Sequence, residues 1–121
     1  METKKTLIIG ASENPARYSY LALNKLKAYG HPVMAIGKKA ATVNGTEIIT
    51  QQDPFPGVDT VTLYLNPQHQ KAYYDYILSL HPKRIIFNPG AENDELAQLA
   101  IGNGIRVQQA CTLVLLSTGQ Y

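Results

Sequence analysis

What most constrains this chain is an alternation of short apolar runs with helical periods. Thr6-Leu7-Ile8-Ile9 is continuously apolar and bounded by Gly10, as in a strand covered on both faces. Ala22, Leu26 and Tyr29 then recur at i, i+4 and i+7, with Ser19 as N-cap and Gly30 as terminator, which predicts a helix over 19–29. Pro32 opens a second strand, Val33 to Ile36, closed by Gly37, and Asp59 to Leu65 reads as a third. Asn66-Pro67 supplies a cap and a first-turn proline for a helix whose stripe is Tyr73, Tyr76, Ile77 and Leu80, ended by His81-Pro82. Arg84 to Phe87 is a fourth strand. A helix over 92–103 follows, acidic at its start through Glu92, Asp94 and Glu95 and stopped by Gly104, and Ile105-Arg106-Val107 begins a fifth strand.

Strands alternating with helices of about three turns imply right-handed crossovers, hence an α/β fold with a doubly wound, open parallel sheet of about five strands between two helical layers. Between Gly37 and Gly57 no helical period is visible; Asn44-Gly45 marks a tight hairpin and Pro56-Gly57 another turn, so one crossover reads as short and irregular. At 121 residues, with 45% hydrophobic and 17% charged, the chain suits one folded domain over 1–121. The closing run Leu113-Val114-Leu115-Leu116 is expected to pack across the sheet edge or against a second copy of the chain.

The net charge of +2 is too small for a nucleic-acid footprint, no apolar run approaches the length of a membrane span, and the amino terminus lacks the core of a secretion signal, so a cytoplasmic protein is expected. Cys111 is the only cysteine and excludes an internal disulfide. His31, His69 and His81 lack metal-ligand spacing and read as structural, no serine occupies a nucleophile elbow, and Asp53 and Asp59 fit turn and strand-start positions, so no catalytic residue and no metal site is predicted.

In open α/β sheets a ligand sits beyond the carboxyl ends of the strands where strand order reverses, commonly between the first and fourth strands. With the strands counted as above, the segments leaving those two are Gly10 to Ser19 and Asn88-Pro89-Gly90-Ala91. The first is longer than such turns usually are, and an anion is a natural reason for its order. Gly10 lets backbone approach closely, the helix start presents free N–H groups, Ser12 and Ser19 offer hydroxyls, and Arg17 offers a planar fork for phosphate. The three-glycine dinucleotide fingerprint is absent, and the second strand ends in Gly37-Lys38-Lys39 instead of an acid, which disfavours NAD. The two lysines suit either a phosphate on an adenosine ribose, as in coenzyme A (CoA) or NADP, or plain solvation.

Gly10-Ala11-Ser12 followed by Asn14-Pro15, Arg17 and Ser19-Tyr20, with Asn88-Pro89-Gly90 and the Gly104 to Cys111 ending, resembles the stand-alone CoA-binding domain proteins. These are small Rossmann-like relatives of the nucleotide-binding domain of succinyl-CoA synthetase alpha chains. The resemblance spans almost the whole chain. It implies that Gly10, Ser12, Arg17 and Ser19 hold the CoA pyrophosphate, that Pro89 and Gly90 line the opposite wall, and that Ala11, Asn14, Tyr20 and Asn88 belong to the same site, which Gly37 and Lys38 are expected to join from their position at the end of the second strand. The chain departs from the family pattern in two places: Ile36-Gly37-Lys38 stands where Val-Asn-Pro is usual, and Tyr18 replaces a common proline. Because dehydrogenases and CoA ligases carry a second domain for their chemistry, the expected function is non-catalytic binding of CoA or an acyl-CoA. The alternatives are a small NADP- or CoA-dependent enzyme subunit completed by a partner chain, and an interaction protein whose crevice has decayed. A homo-oligomer is compatible with all three.

Overall fold

A computed structural model describes residues 2–121. Strands β1 (Thr6–Ala11), β2 (Val33–Gly37), β3 (Ala41–Val43), β4 (Thr46–Ile49), β5 (Thr60–Leu63), β6 (Arg84–Phe87) and β7 (Arg106–Gln109) form one sheet in the order β3-β4-β2-β1-β5-β6-β7. All adjacent pairs are parallel except β3–β4. The apolar runs became central strands because both faces are covered: Leu7, Ile8 and Ile9 are fully buried, and alternate side chains enter two separate cores.

One core joins Leu7, Ile9, Val61, Leu63, Ile85 and Phe87 to Tyr76 and Ile77 of α3 (Tyr74–Ser79) and Leu96 and Ala100 of α4 (Asp94–Gly102). The other joins Ile8, Ala35 and Ile48 to Leu23 and Leu26 of α1 (Tyr18–Ala28) and Leu116 of α5 (Thr112–Ser117). The result is the expected three-layer, Rossmann-like arrangement, with seven strands in place of about five.

The additional strands come from the stretch read as irregular. Asn44 (φ 49°) and Gly45 (φ 78°) make the expected tight turn, but the short arms beside it are strands, and β4 pairs in parallel with β2 through Ala35–Ile48 and Ile36–Ile49. Arms of three and four residues carry too few side chains for a period to show.

Three further expectations are corrected. The helix predicted as continuous after Asn66-Pro67 is broken into α2 (Pro67–Gln70), a 3-10 turn (Lys71–Tyr73) and α3. The interruption coincides with the buried side chain of Gln70, which donates to the Leu65 and Ala91 carbonyls (both 2.8 Å) and accepts from Asn93 Nδ2 (2.9 Å). Ser19 is not a cap: Arg17 occupies the N-cap position without a side-chain bond, and Ser19 is buried in the first turn. Leu113 to Leu116 form most of α5, which lies beside α1 with Leu115 and Leu116 buried and Val114 exposed, so the run packs on a sheet face and not across its edge.

Beneath the amino ends of the central strands, Tyr121 stacks on the buried Arg84 guanidinium (4.4 Å) and shares a 2.5 Å hydrogen bond with Thr6 Oγ1. His31 meets the Tyr121 ring edge-on at 4.9 Å, and its Nδ1 accepts from the Lys4 amide (2.9 Å). Burial first, then the Lys4 and Arg84 charges, hold its pKa below the ordinary value. The unfolded chain therefore binds the imidazole proton more readily, so stability is lost as pH falls below about 6.5. His31→Gln is expected to flatten the pH dependence of unfolding below about pH 6.5. Parallel curves for the two proteins would show that His31 is not responsible.

Candidate functional site

The topology itself locates a crevice. Chain direction reverses from one side of the sheet to the other between β1 and β5, so the loops after these two strands diverge and leave a gap at their carboxyl ends. A hollow of about 630 Å³ opens there, lined by Gly10 to Asn14, Arg17 to Ser19, Lys38, Lys39, Tyr64 to Asn66, His69 and Pro89 to Ala91. The size is ordinary for a cofactor site.

Strand counting explains what the sequence missed. With β4 unrecognised, Arg84 to Phe87 counted as the fourth strand; counted along the parallel series, the fourth is β5, and β6 lies one place further out. The nearer wall is therefore the segment leaving β5, with Tyr64, Leu65, Asn66 and His69. No residue of this wall was predicted, and His69, read as structural, is an exposed imidazole on the hollow. The signal was present in Asn66-Pro67, which marks a helix start directly after a strand. Asn66 does cap α2, accepting from the His69 amide at 3.2 Å.

The β1–α1 loop is ordered largely by itself. Ser12 Oγ accepts from the Asn14 amide, Asn14 Oδ1 accepts from the Ala16 amide, and the Asn14 carbonyl accepts from the Arg17 amide, each at 3.0 Å. An anion is thus not required to explain its shape. The loop delivers the first turn of α1, whose leading N–H groups have no intrahelical acceptor, to the hollow together with the Arg17 guanidinium. Arg17 is exposed and has no ion-pair partner among the described residues.

Gly10 makes the turn possible. Its φ is +96°, and a Cβ would lie 2.9 Å from the Tyr64 carbonyl carbon, so the β1 backbone passes directly over the β5 exit. The strand bulges at this glycine, pairing Ile9 with Ile36 and then Ala11 with Gly37.

Of the predicted site residues, Gly10, Ala11, Ser12, Asn14, Arg17, Ser19, Lys38, Pro89 and Gly90 come together around the hollow, and Tyr20, Gly37 and Asn88 do not line it. Tyr20 lies half-buried against the α1-side core. Gly37 is packed against β1 so closely that a Cβ would stand 2.3 Å from the Ala11 carbonyl oxygen; the glycine serves strand pairing. Asn88 is buried, donating to Thr62 Oγ1 (2.7 Å) and the Leu63 carbonyl (2.9 Å) and accepting from the Thr112 amide (2.9 Å), which anchors the start of α5. Its replacement by alanine removes three buried hydrogen bonds, takes the acceptor from the Thr112 amide, and is expected to cost about 2–4 kcal/mol of stability. Denaturant unfolding measures this; an unchanged midpoint would free Asn88 from that structural role. The Gly90 amide is already engaged by Glu92 Oε1 at 2.8 Å, so Pro89 and Gly90 contribute shape more than free donors.

The hollow's charge is mostly cationic. Arg17, Lys38 and Lys39 border it, opposed by Glu13, whose carboxylate pairs with Lys39 Nζ at 2.9 Å across the two loops. Burial raises the Tyr64 phenol above its usual pKa and keeps it neutral. Cys111 occupies the N-cap position of α5 without a side-chain bond and lies outside the hollow. Among the described residues no cluster of three His, Cys, Asp or Glu side chains is placed to hold a metal, and no helix is long and apolar enough to cross a membrane.

Fold and hollow together define a protein of the Rossmann-like class with a cationic crevice at the switch point of its sheet. A family model described as "CoA binding domain" matches residues 4–117, and the chain belongs to that family. It is also similar to a crystal structure titled only as an uncharacterized protein, with 51% identity, full coverage of both chains and a TM-score of 0.97. A hypothetical protein from Pyrococcus horikoshii OT3 shares 21% identity over 96% of this chain and 83% of its own, with a TM-score of 0.87. Cell-free ID.343 from Thermus thermophilus shares 20% over 98% and 91%, with a TM-score of 0.86. The last two likenesses concern the fold. No curated protein matches.

Proposed function

We propose that this protein is a non-catalytic, cytoplasmic module that binds CoA or an acyl-CoA through its phosphates. The observation that carries the reading is the Arg17 guanidinium beside the first turn of α1 on a hollow at the switch point, in a chain of the CoA-binding domain family. A pyrophosphate placed against α1 accepts from main-chain amides and the Ser19 hydroxyl and takes the Arg17 fork bidentately. Lys38 and Lys39, at the end of β2, then meet the phosphate on the adenosine ribose, and the pantetheine arm leaves along the His69 and Pro89 to Ala91 walls. The absence of an acid after β2 favours this ligand over NAD.

Isothermal titration with CoA, acetyl-CoA, NADP, NAD and ATP tests the assignment. CoA or acetyl-CoA should bind most tightly without turnover; no heat from micromolar protein at millimolar CoA would overturn it. One observation favours a second reading, a subunit of a CoA-transforming enzyme: the exposed His69 imidazole faces the same hollow, where a proton donor or acceptor would act. Turnover abolished by His69→Gln, with or without a co-purifying partner, would select that reading.

A further inference from the structure

Glu13 is the anomaly of the crevice. It is an acid on the border of a hollow otherwise flanked by Arg17, Lys38 and Lys39, with His69 on the far wall. Its carboxylate reaches from the β1–α1 loop to the Lys39 ammonium on the connection after β2, at 2.9 Å, in the only ion pair among the described residues. Both side chains are largely exposed, at 81% for Lys39 and 50% for Glu13, so the pair adds little to folding stability. A carboxylate that did nothing else would simply repel a phosphorylated ligand.

Resting on the CoA reading, we propose that the Glu13 carboxylate is an internal stand-in for the ligand's ribose phosphate. It holds Lys39 in the free protein and gives it up when a phosphomonoester arrives. The ribose phosphate then binds by exchange of one anion for another: the Lys39–Glu13 contact breaks, a Lys39–phosphate contact forms, and the released carboxylate turns to solvent. A dianionic phosphate outcompetes a carboxylate for the ammonium, whereas a ligand lacking that phosphate leaves the pair intact. Glu13 thus moderates affinity for ribose-phosphorylated ligands and shields Lys39 from adventitious anions.

The test is titration of CoA and dephospho-CoA, which lacks the ribose phosphate, into the wild type, Glu13→Gln, Lys39→Ala and the double variant. Glu13→Gln should tighten CoA by about threefold to tenfold and dephospho-CoA by less than about twofold, because the competing charge acts at the ribose phosphate. In the Lys39→Ala background most of the gain should vanish, leaving only the weak, solvent-screened repulsion of an unpaired carboxylate. An equal change for both ligands, no change for either, or a gain undiminished without Lys39 would overturn the exchange while leaving CoA binding standing. Failure of every variant and the wild type to bind either ligand would overturn the underlying reading as well.

Discussion

Arg17→Ala is expected to weaken CoA binding by about 1–3 kcal/mol while leaving the fold intact, because a charge-assisted, bidentate contact is removed from a side chain with no structural partner. Isothermal titration reads the affinity and thermal denaturation the fold. Arg17→Lys should recover only part of the loss: the ammonium restores charge but not the planar fork. Unchanged affinity in Arg17→Ala would remove the guanidinium from the site and leave the helix amides, the Ser19 hydroxyl and the two lysines as the basis for anion binding.

Gly10→Ala is expected to lower unfolding stability by about 2–4 kcal/mol, through backbone strain at positive φ combined with overlap against a neighbouring strand's main chain. The added Cβ meets the Tyr64 carbonyl carbon at 2.9 Å and its oxygen at 3.1 Å, and neither can turn aside as a flexible side chain would. Relief requires β1 and β5 to part at the rim of the hollow, so CoA affinity should fall in the same variant. Gly90→Ala isolates the strain component, since its φ of +92° is similar but nothing lies within 4 Å of the new methyl. It should cost about 1–2 kcal/mol, close to strain alone. Equal losses for the two variants in urea unfolding would mean that contact with Tyr64 contributes nothing.

The places where sequence and structure agree share one property: their cause is local. The runs at Leu7-Ile8-Ile9 and Ile85-Ile86-Phe87 are apolar on both faces whatever lies around them, and such runs are at home only inside a covered sheet. Asn93 accepts from the Leu96 amide at 3.2 Å and caps α4, which begins at Asp94, two residues inside the expected 92–103, because an Asn side chain can satisfy a helix start by itself. The disagreements lie where partners are distant. Thr46 to Ile49 joins the main sheet because Ala35 and Ile36, distant in sequence, pair with it on the side away from its hairpin partner β3, and Ser19, read as a cap, is a buried first-turn residue because the loop before it is ordered by Ser12 and Asn14. Missing β4 moved the expected wall from Tyr64–His69 to Asn88–Ala91.

By itself, then, the order of residues determined the layered α/β architecture, the glycine turn after β1 and the cationic character of the loops at one end of the sheet, since each follows from side-chain chemistry and spacing within about ten residues. Tertiary structure alone decided which loops face each other. Strand order depends on free-energy differences among whole pairings of the sheet, to which no short segment contributes enough to be read in isolation. That order brought Lys39 to Glu13, set His69 on the hollow opposite Arg17, and withdrew Asn88 into the core.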